Sequence, residues 1–229
     1  MCFSATWSAS SFWIIFTTAT IAVIKRMDPR IAATLYFFSI KEAIQYFLYQ
    51  NLSSCNRVNE FLSTLSWVHI SFHPFFVLLF IQAFSRQPEM YTIPLGLSLV
   101  FAVFNIIRIN PSAIKIPCTP STNPTGLCQT TTCTYPGKHH LAYGFKLKSA
   151  DSYDAYTPNM FTYLLLMFVV PLIIGDWPIP LLNIIIAIIP YAFIAPNNLG
   201  EAAAIWCLFA FTFVAFVFWS LLTGRKYYP

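Results

Sequence analysis

Of the 229 residues, 57% are hydrophobic, 18% aromatic and only 9% charged. Soluble domains carry about a quarter charged residues, so this composition excludes an ordinary cytosolic or secreted globule and makes lipid the solvent for most of the chain. The formal charge of +5 sits in loops and span flanks, without a Gly-rich phosphate loop or a basic nucleic-acid surface, so neither nucleotide nor nucleic acid is an expected partner.

A hydrocarbon core about 30 Å thick needs roughly 20 apolar residues at 1.5 Å each. On that ruler the predicted spans are 7–24, 31–50, 61–82, 93–110, 159–175, 178–196 and 202–222. Helix starts are marked by Ser4 and Thr6, by Pro29, by Thr92 and Pro94, and by Thr157 and Pro158. Isolated apolar strands cannot span and barrel-type alternation is absent, so the fold class is all-α. The expectation is one polytopic membrane domain, residues 1–229, built as a seven-helix bundle. Only Gly175, Asp176 and Trp177 separate the fifth and sixth segments, so 159–196 reads as a tight antiparallel hairpin, with a re-entrant pair as the alternative. The first segment lacks a basic n-region and a small-residue cleavage site and reads as a retained helix.

Lysine and arginine in short loops mark the cytoplasmic side. Lys25, Arg26, Arg30, Arg86, Arg225 and Lys226 therefore place the N terminus outside and the C terminus in the cytoplasm. The long loop 111–158 falls on the extracytoplasmic side, together with Cys2, Cys55, Cys118, Cys128 and Cys133. On an oxidising face the four loop cysteines Cys55, Cys118, Cys128 and Cys133 predict two disulfides, with three pairings open, and a compact cap over the outer end of the bundle. His139 and His140 in this loop read as solvated.

Ionisable groups at bilayer depth cost about 2.5–3.5 kcal/mol each on insertion scales and mark candidate sites. Lys41 and Glu42 lie midway along the second segment, His69 and His73 midway along the third. Ser66, His69 and His73 share one helical stripe, with Asn59 a heptad before Ser66; Ser39, Glu42, Gln45, Tyr46 and Tyr49 form a stripe on the second helix. The two stripes predict a hydrogen-bonded seam, bent where Pro74 follows His73. Two histidines one turn apart, with Glu42 as carboxylate, form a candidate site for zinc or another transition metal. Arg108, one turn from Asn105, is expected to snorkel, and Cys207 beside Trp206 to fill apolar space.

The fragment Ser71-Phe72-His73 resembles a motif of the alkaline ceramidase and adiponectin-receptor superfamily, which implies a seven-span zinc hydrolase acting on lipids; the histidine pair of that superfamily's last span has no counterpart in 202–222. The opening Met1-Cys2-Phe3-Ser4-Ala5-Thr6 resembles an uncharacterised multi-span family beginning MCFSA. The functional expectation is a transition-metal site serving a lipid-active enzyme or metal transport. The alternatives are a structural accessory subunit of a larger membrane complex and proton or ion conduction through the seam. Expected partners are membrane lipids and a membrane-protein partner or second copy.

Overall fold

The computed structural model describes residues 4–109, 129, 131–147, 160–189, 200–201 and 208–224. Cys2, Cys118, Cys128, Trp206 and Cys207, the helix start at Thr157 and Pro158, and the basic pair Arg225 and Lys226 lie outside the described residues.

The protein is mostly helical. Helix α1 (Ala5–Ile24) starts at Ser4, whose hydroxyl accepts from the Trp7 N–H at 3.1 Å. Helix α2 (Pro29–Tyr49) starts at Asp28, which caps the Arg30 N–H and pairs with the Arg30 guanidinium at 2.5 Å. Those bonds hold the Asp28 carboxyl below the usual carboxylate value of 3.8. The third segment is two helices, α3 (Arg57–Ser71) and α4 (His73–Phe84), meeting at Phe72 with a 41° bend. Pro74 accounts for the break, since it has no N–H to give to the preceding turn. A 3-10 turn (Pro88–Tyr91) leads into α5 (Thr92–Ile109).

After the long loop, α6 (Met160–Leu164) continues through a π turn (Leu165–Val169) into α7 (Val170–Ile174). The π turn ends two residues before Pro171, whose missing N–H leaves the Met167 carbonyl without its α-helical donor. Gly175 ends α7 at φ 102°, where its own N–H and that of Asp176 both reach the Pro171 carbonyl, at 3.1 and 2.9 Å. The left-handed residue that closes such a turn is best supplied by glycine. Helix α8 (Pro178–Asn183) follows at once, as a tight hairpin requires, and runs into a second π turn (Ile184–Ile188). The last described helix is α9 (Phe209–Thr223).

Helices α1 and Pro88–Ile109 are each long and apolar enough to cross a membrane, and α3 with α4 makes a third if the bent pair is one span. Several polar residues of these helices face inward while large apolar ones face outward. On α5 the buried residues include Ser98, Asn105 and Arg108, whereas Ile93, Leu97, Val100, Phe104 and Ile107 are exposed. On α1, Ser8, Ser11 and Thr18 are buried while Trp13, Ile14, Phe16 and Ile24 are exposed. Water would favour the reverse arrangement; hydrocarbon favours this one, because polar groups there find partners only inside the protein.

The part of the long loop described here is an ordered hairpin. Strands β1 (Cys133–Pro136) and β2 (Leu141–Gly144) pair antiparallel, with Cys133 opposite Gly144 and Pro136 opposite Leu141. Leu141, Tyr143, Phe145 and Leu147 are buried in a cluster with Ile44, Leu48 and Trp67 of α2 and α3. Cys133 is disulfide-bonded to Cys55, across 78 residues of sequence, so one of the expected cross-links is present. Asn59 makes a second clasp: its Nδ2 donates to the Thr134 carbonyl at 2.9 Å while its Oδ1 accepts from the Thr134 N–H at 2.8 Å. The side-chain amide thus pairs with β1 as a third strand would. Ser63 extends the contact to the Thr134 hydroxyl at 2.7 Å.

Asn59→Ala leaves a buried N–H and a buried carbonyl of β1 unpaired, at about 1–3 kcal/mol for each such group. The expected outcome is a lower unfolding temperature, with amide-exchange protection lost first at Thr134 and Tyr135. Unchanged protection of those amides would contradict the clasp.

Candidate functional site: a hydrogen-bonded histidine seam

His69 lies in the last turn of α3 and His73 begins α4, so the bend at Phe72 lies between them. Both rings are buried, and they meet through His69 Nδ1 and His73 Nε2 at 3.2 Å. The outer nitrogens are also occupied. His69 Nε2 lies 2.7 Å from the Phe37 carbonyl of α2, and His73 Nδ1 lies 2.8 Å from the Tyr163 hydroxyl of α6. One line of hydrogen bonds therefore joins four helices.

The direction of that line follows from its end. A carbonyl only accepts, so His69 Nε2 carries a proton and donates to Phe37. With both rings uncharged, His69 Nδ1 must then accept, His73 Nε2 must donate, His73 Nδ1 must accept, and the Tyr163 hydroxyl must donate. All four ring nitrogens are used. Aromatic faces close the sides: the Phe37 ring stacks on His69 at 3.8 Å and on Phe76 at 3.8 Å, while Phe38 lies 5.1 Å from His73. Thr34 donates to the Phe76 carbonyl at 3.1 Å, a direct bond between α2 and α4.

Glu42 is buried one turn further along α2, and its Oε2 has no hydrogen-bond partner. Among the described residues no three His, Cys, Asp or Glu side chains come together as a metal-holding group, so the expected set of Glu42, His69 and His73 is not assembled in this structure. Gln45 Oε1, Ser8 Oγ and Ser11 Oγ are likewise buried without partners. Thr20 and Phe16 of α1 contact Tyr36 of α2, at 3.1 Å and 5.2 Å, and fix the register of this antiparallel pair. Counting along both helices from that level brings Ser8 and Ser11 to the height of Gln45 and Glu42. Lys41 is buried beside them.

The other expected seam residues do different work. Ser39 donates to the Tyr36 carbonyl at 2.7 Å and Ser66 to the Leu62 carbonyl at 2.9 Å, each within its own helix. Gln45 donates to the Tyr143 hydroxyl of the hairpin at 3.4 Å. Burial pushes the Tyr143 phenol up to about 12, the bonds from Gln45 and Ser66 acting the other way. Tyr46 is half-buried against Phe47. The two stripes thus do not zip directly; a backbone carbonyl, from Phe37, receives the histidine instead.

Arg108 does not snorkel. It is buried, with its guanidinium 3.4 Å from Asn105 Oδ1, because Trp67 and the hairpin cover the outer part of α5, where the Asn105 carbonyl accepts from Trp67 Nε1 at 2.6 Å. His139 is exposed as expected, whereas His140 is buried. The turn holding both is seated on Glu201, whose carboxylate accepts from the Lys138 N–H at 2.7 Å and the His139 N–H at 3.2 Å. A Cβ at Gly137 would come within 2.5 Å of that carboxylate, so only glycine fits there.

Sequence reading missed Tyr163, the Phe37 carbonyl, the Asn59 clasp and Glu201. Tyr163 and Glu201 did carry a signal, as a hydroxyl and a carboxylate bordering otherwise apolar segments. Nothing in sequence marks which carbonyl a histidine reaches.

The chain belongs to a family of unknown function, DUF5765, whose family model matches residues 8–226. The match covers nearly the whole helical chain and starts after the MCFSA opening, so it rests on the body of the protein. No curated protein and no solved structure matches the chain, and the resemblance to ceramidase-type hydrolases gains no support.

Tyr163→Phe removes the donor at the end of the seam and leaves His73 Nδ1 buried and unpaired, at a cost of about 1–3 kcal/mol. Glu42→Gln removes an ionisable group with an unpartnered oxygen and is expected to leave stability equal or raised. Thermal unfolding of the two variants in one detergent measures both; the opposite ranking would contradict this geometry.

Proposed function

We propose that this chain is a seven-span integral membrane protein acting as a structural accessory subunit of a membrane complex, with the histidine seam as its internal fastening. The observation that carries the reading is the engagement of every ring nitrogen of His69 and His73 by protein groups, which leaves no imidazole lone pair for an ion. A through-path for protons or ions is disfavoured by the packing below the seam. Phe38, Phe80, Phe84, Phe209 and Phe213 are fully buried there in one apolar cluster, which offers the seam no continuous line of polar groups through it.

The proposed topology keeps the N terminus and the 111–158 loop outside and the C terminus in the cytoplasm. The Cys55–Cys133 disulfide supports an oxidising face at the end where α2 meets α3. Lys25, Arg26 and Arg30 gather at the opposite end, as cytoplasmic loops do. The bond from the Tyr91 hydroxyl to Asp176 Oδ2, 2.6 Å, brings the start of α5 to the α7–α8 turn, which fits successive segments crossing in alternating directions.

A second reading, a transition-metal site for a lipid-active enzyme or metal transport, is favoured by two observations: the histidines already meet at 3.2 Å, and the Glu42 Oε2 is without a partner. It requires His69 or His73 to give up a present bond. Elemental analysis of the protein purified in mild detergent, beside Glu42→Gln and the His69→Ala, His73→Ala double variant, separates the two. The accessory reading predicts metal well below one equivalent in all three and a copurifying membrane-protein partner or defined homo-oligomer. One equivalent of zinc, iron or manganese in the wild type, lost in both variants, would overturn it.

A further inference from the structure

A cavity of about 550 Å³ opens at the end of the bundle opposite the hairpin, where α1 ends, α2 begins, and α4 and α9 end. Its floor is apolar, made by Ile31, Ala83, Phe84 and Leu221, and its rim carries Lys25 and Arg26. The size is that of a pocket for one small ligand or headgroup.

Among the described residues nothing in the fold uses the two cations. Asp28, the acid of the lining, is taken by Arg30 through two side-chain bonds at 2.8 and 2.5 Å. The last carbonyls of α1 are closed by backbone N–H groups of Lys25, Arg26 and Met27, so neither basic side chain is needed as a cap. Neither the Lys25 ammonium nor the Arg26 guanidinium has an acidic or hydrogen-bonding partner among the described residues. Arg26 moreover sits at φ 52°, a left-handed position where glycine or asparagine costs less. A cation kept at a strained backbone position, beside a second free cation and over an apolar floor, points to a use for the charge.

We propose that this cavity binds the phosphate-bearing headgroup of an anionic membrane lipid. Lys25 and Arg26 take the phosphate, and the floor takes the first carbons of the glycerol and acyl chains. The apolar floor favours a lipid over free phosphate, which shares the anionic group but has no apolar part to bury. The helix α1, 20 residues long and of spanning character, ends at the cavity, which puts the rim at headgroup depth. The inference rests on the membrane reading alone and holds whether the seam is structural or metal-binding.

The test reconstitutes the full chain in nanodiscs of phosphatidylcholine with 10–20 mol% phosphatidylglycerol or phosphatidic acid, about one anionic lipid in five to ten, and measures retained lipid by native mass spectrometry. Insertion into pure phosphatidylcholine discs reports separately on the membrane reading. The Lys25→Ala, Arg26→Gly double variant relieves the strain at position 26 and is expected to fold with equal or higher stability while losing anionic-lipid retention by roughly thirtyfold, about a factor of five per cation. Leu221→Trp keeps both charges but fills the cavity and is expected to lose retention as well. The Lys138→Ala, Lys146→Ala variant removes the same charge from the hairpin end and is expected to retain lipid as wild type does. Equal loss in this control, or full retention in Leu221→Trp, would overturn the proposal. So would saturable binding of inorganic phosphate to delipidated protein that anionic lipid does not displace, since that assigns the cavity to free phosphate.

Discussion

In hydrocarbon an N–H or O–H that finds no acceptor within the protein finds none at all. On the proposed membrane reading, that constraint accounts for the central hydrogen-bonded run of this structure. The buried faces of α1 and α5 include Ser8, Ser11, Thr18, Ser98, Asn105 and Arg108 beside apolar residues, and the exposed face of α5 is mostly isoleucine, leucine, valine and phenylalanine. The longest consequence of the constraint is the run from the Tyr163 hydroxyl through His73 and His69 to the Phe37 carbonyl, in which each group fixes the role of the next. Because a carbonyl at one end can only accept, the run has a single direction while the rings are uncharged. A proton added at His69 Nδ1 would reverse every bond up to Tyr163. The same four helices would still be joined.

The two ends of the bundle are built differently. At one, the hairpin is held by a covalent bond at Cys133, by the Asn59 amide against Thr134, and by Glu201 under the Lys138–His139 turn. These three attachments reach α3, the segment before it, and residue 201, so the hairpin ties together parts of the chain far apart in sequence. Tyr143 then lowers a phenol onto Gln45, and Phe145 packs on Trp67 at 4.6 Å. Among the described residues the other end has no such cover. It carries an open cavity with Lys25 and Arg26 at its rim.

Much of the architecture was legible because it follows from segment length and composition. The helices begin where Ser4, Pro29 and Thr92 said they would, Pro74 bends the third segment, and Gly175 turns the fifth into the sixth. Periodicity likewise put His69 and His73 on one stripe, and they do meet. Spacing along a helix gives the level and side of a residue but not the partner across the interface. It therefore could not distinguish a ring nitrogen aimed at Glu42 from one aimed at the Phe37 carbonyl, two positions barely more than one turn apart on α2. Arg108 and His140 were misjudged for a related reason: burial by the hairpin depends on a docking surface that no local pattern encodes. The Asn59 clasp was hidden because its amide replaces a strand edge, a role defined by β1 and not by α3.

The central claim is the direction and closure of the histidine run. Solution or solid-state nitrogen-15 spectroscopy of ring-labelled histidine in lipid nanodiscs, with His69 and His73 assigned by single substitution, tests it most directly. Both rings are predicted as the Nε2–H tautomer with a hydrogen-bonded, unprotonated Nδ1, and the His73 Nδ1 signal is predicted to move in Tyr163→Phe. An Nδ1–H tautomer at either ring, or a nitrogen signal displaced by metal coordination and restored by a chelator, would contradict it.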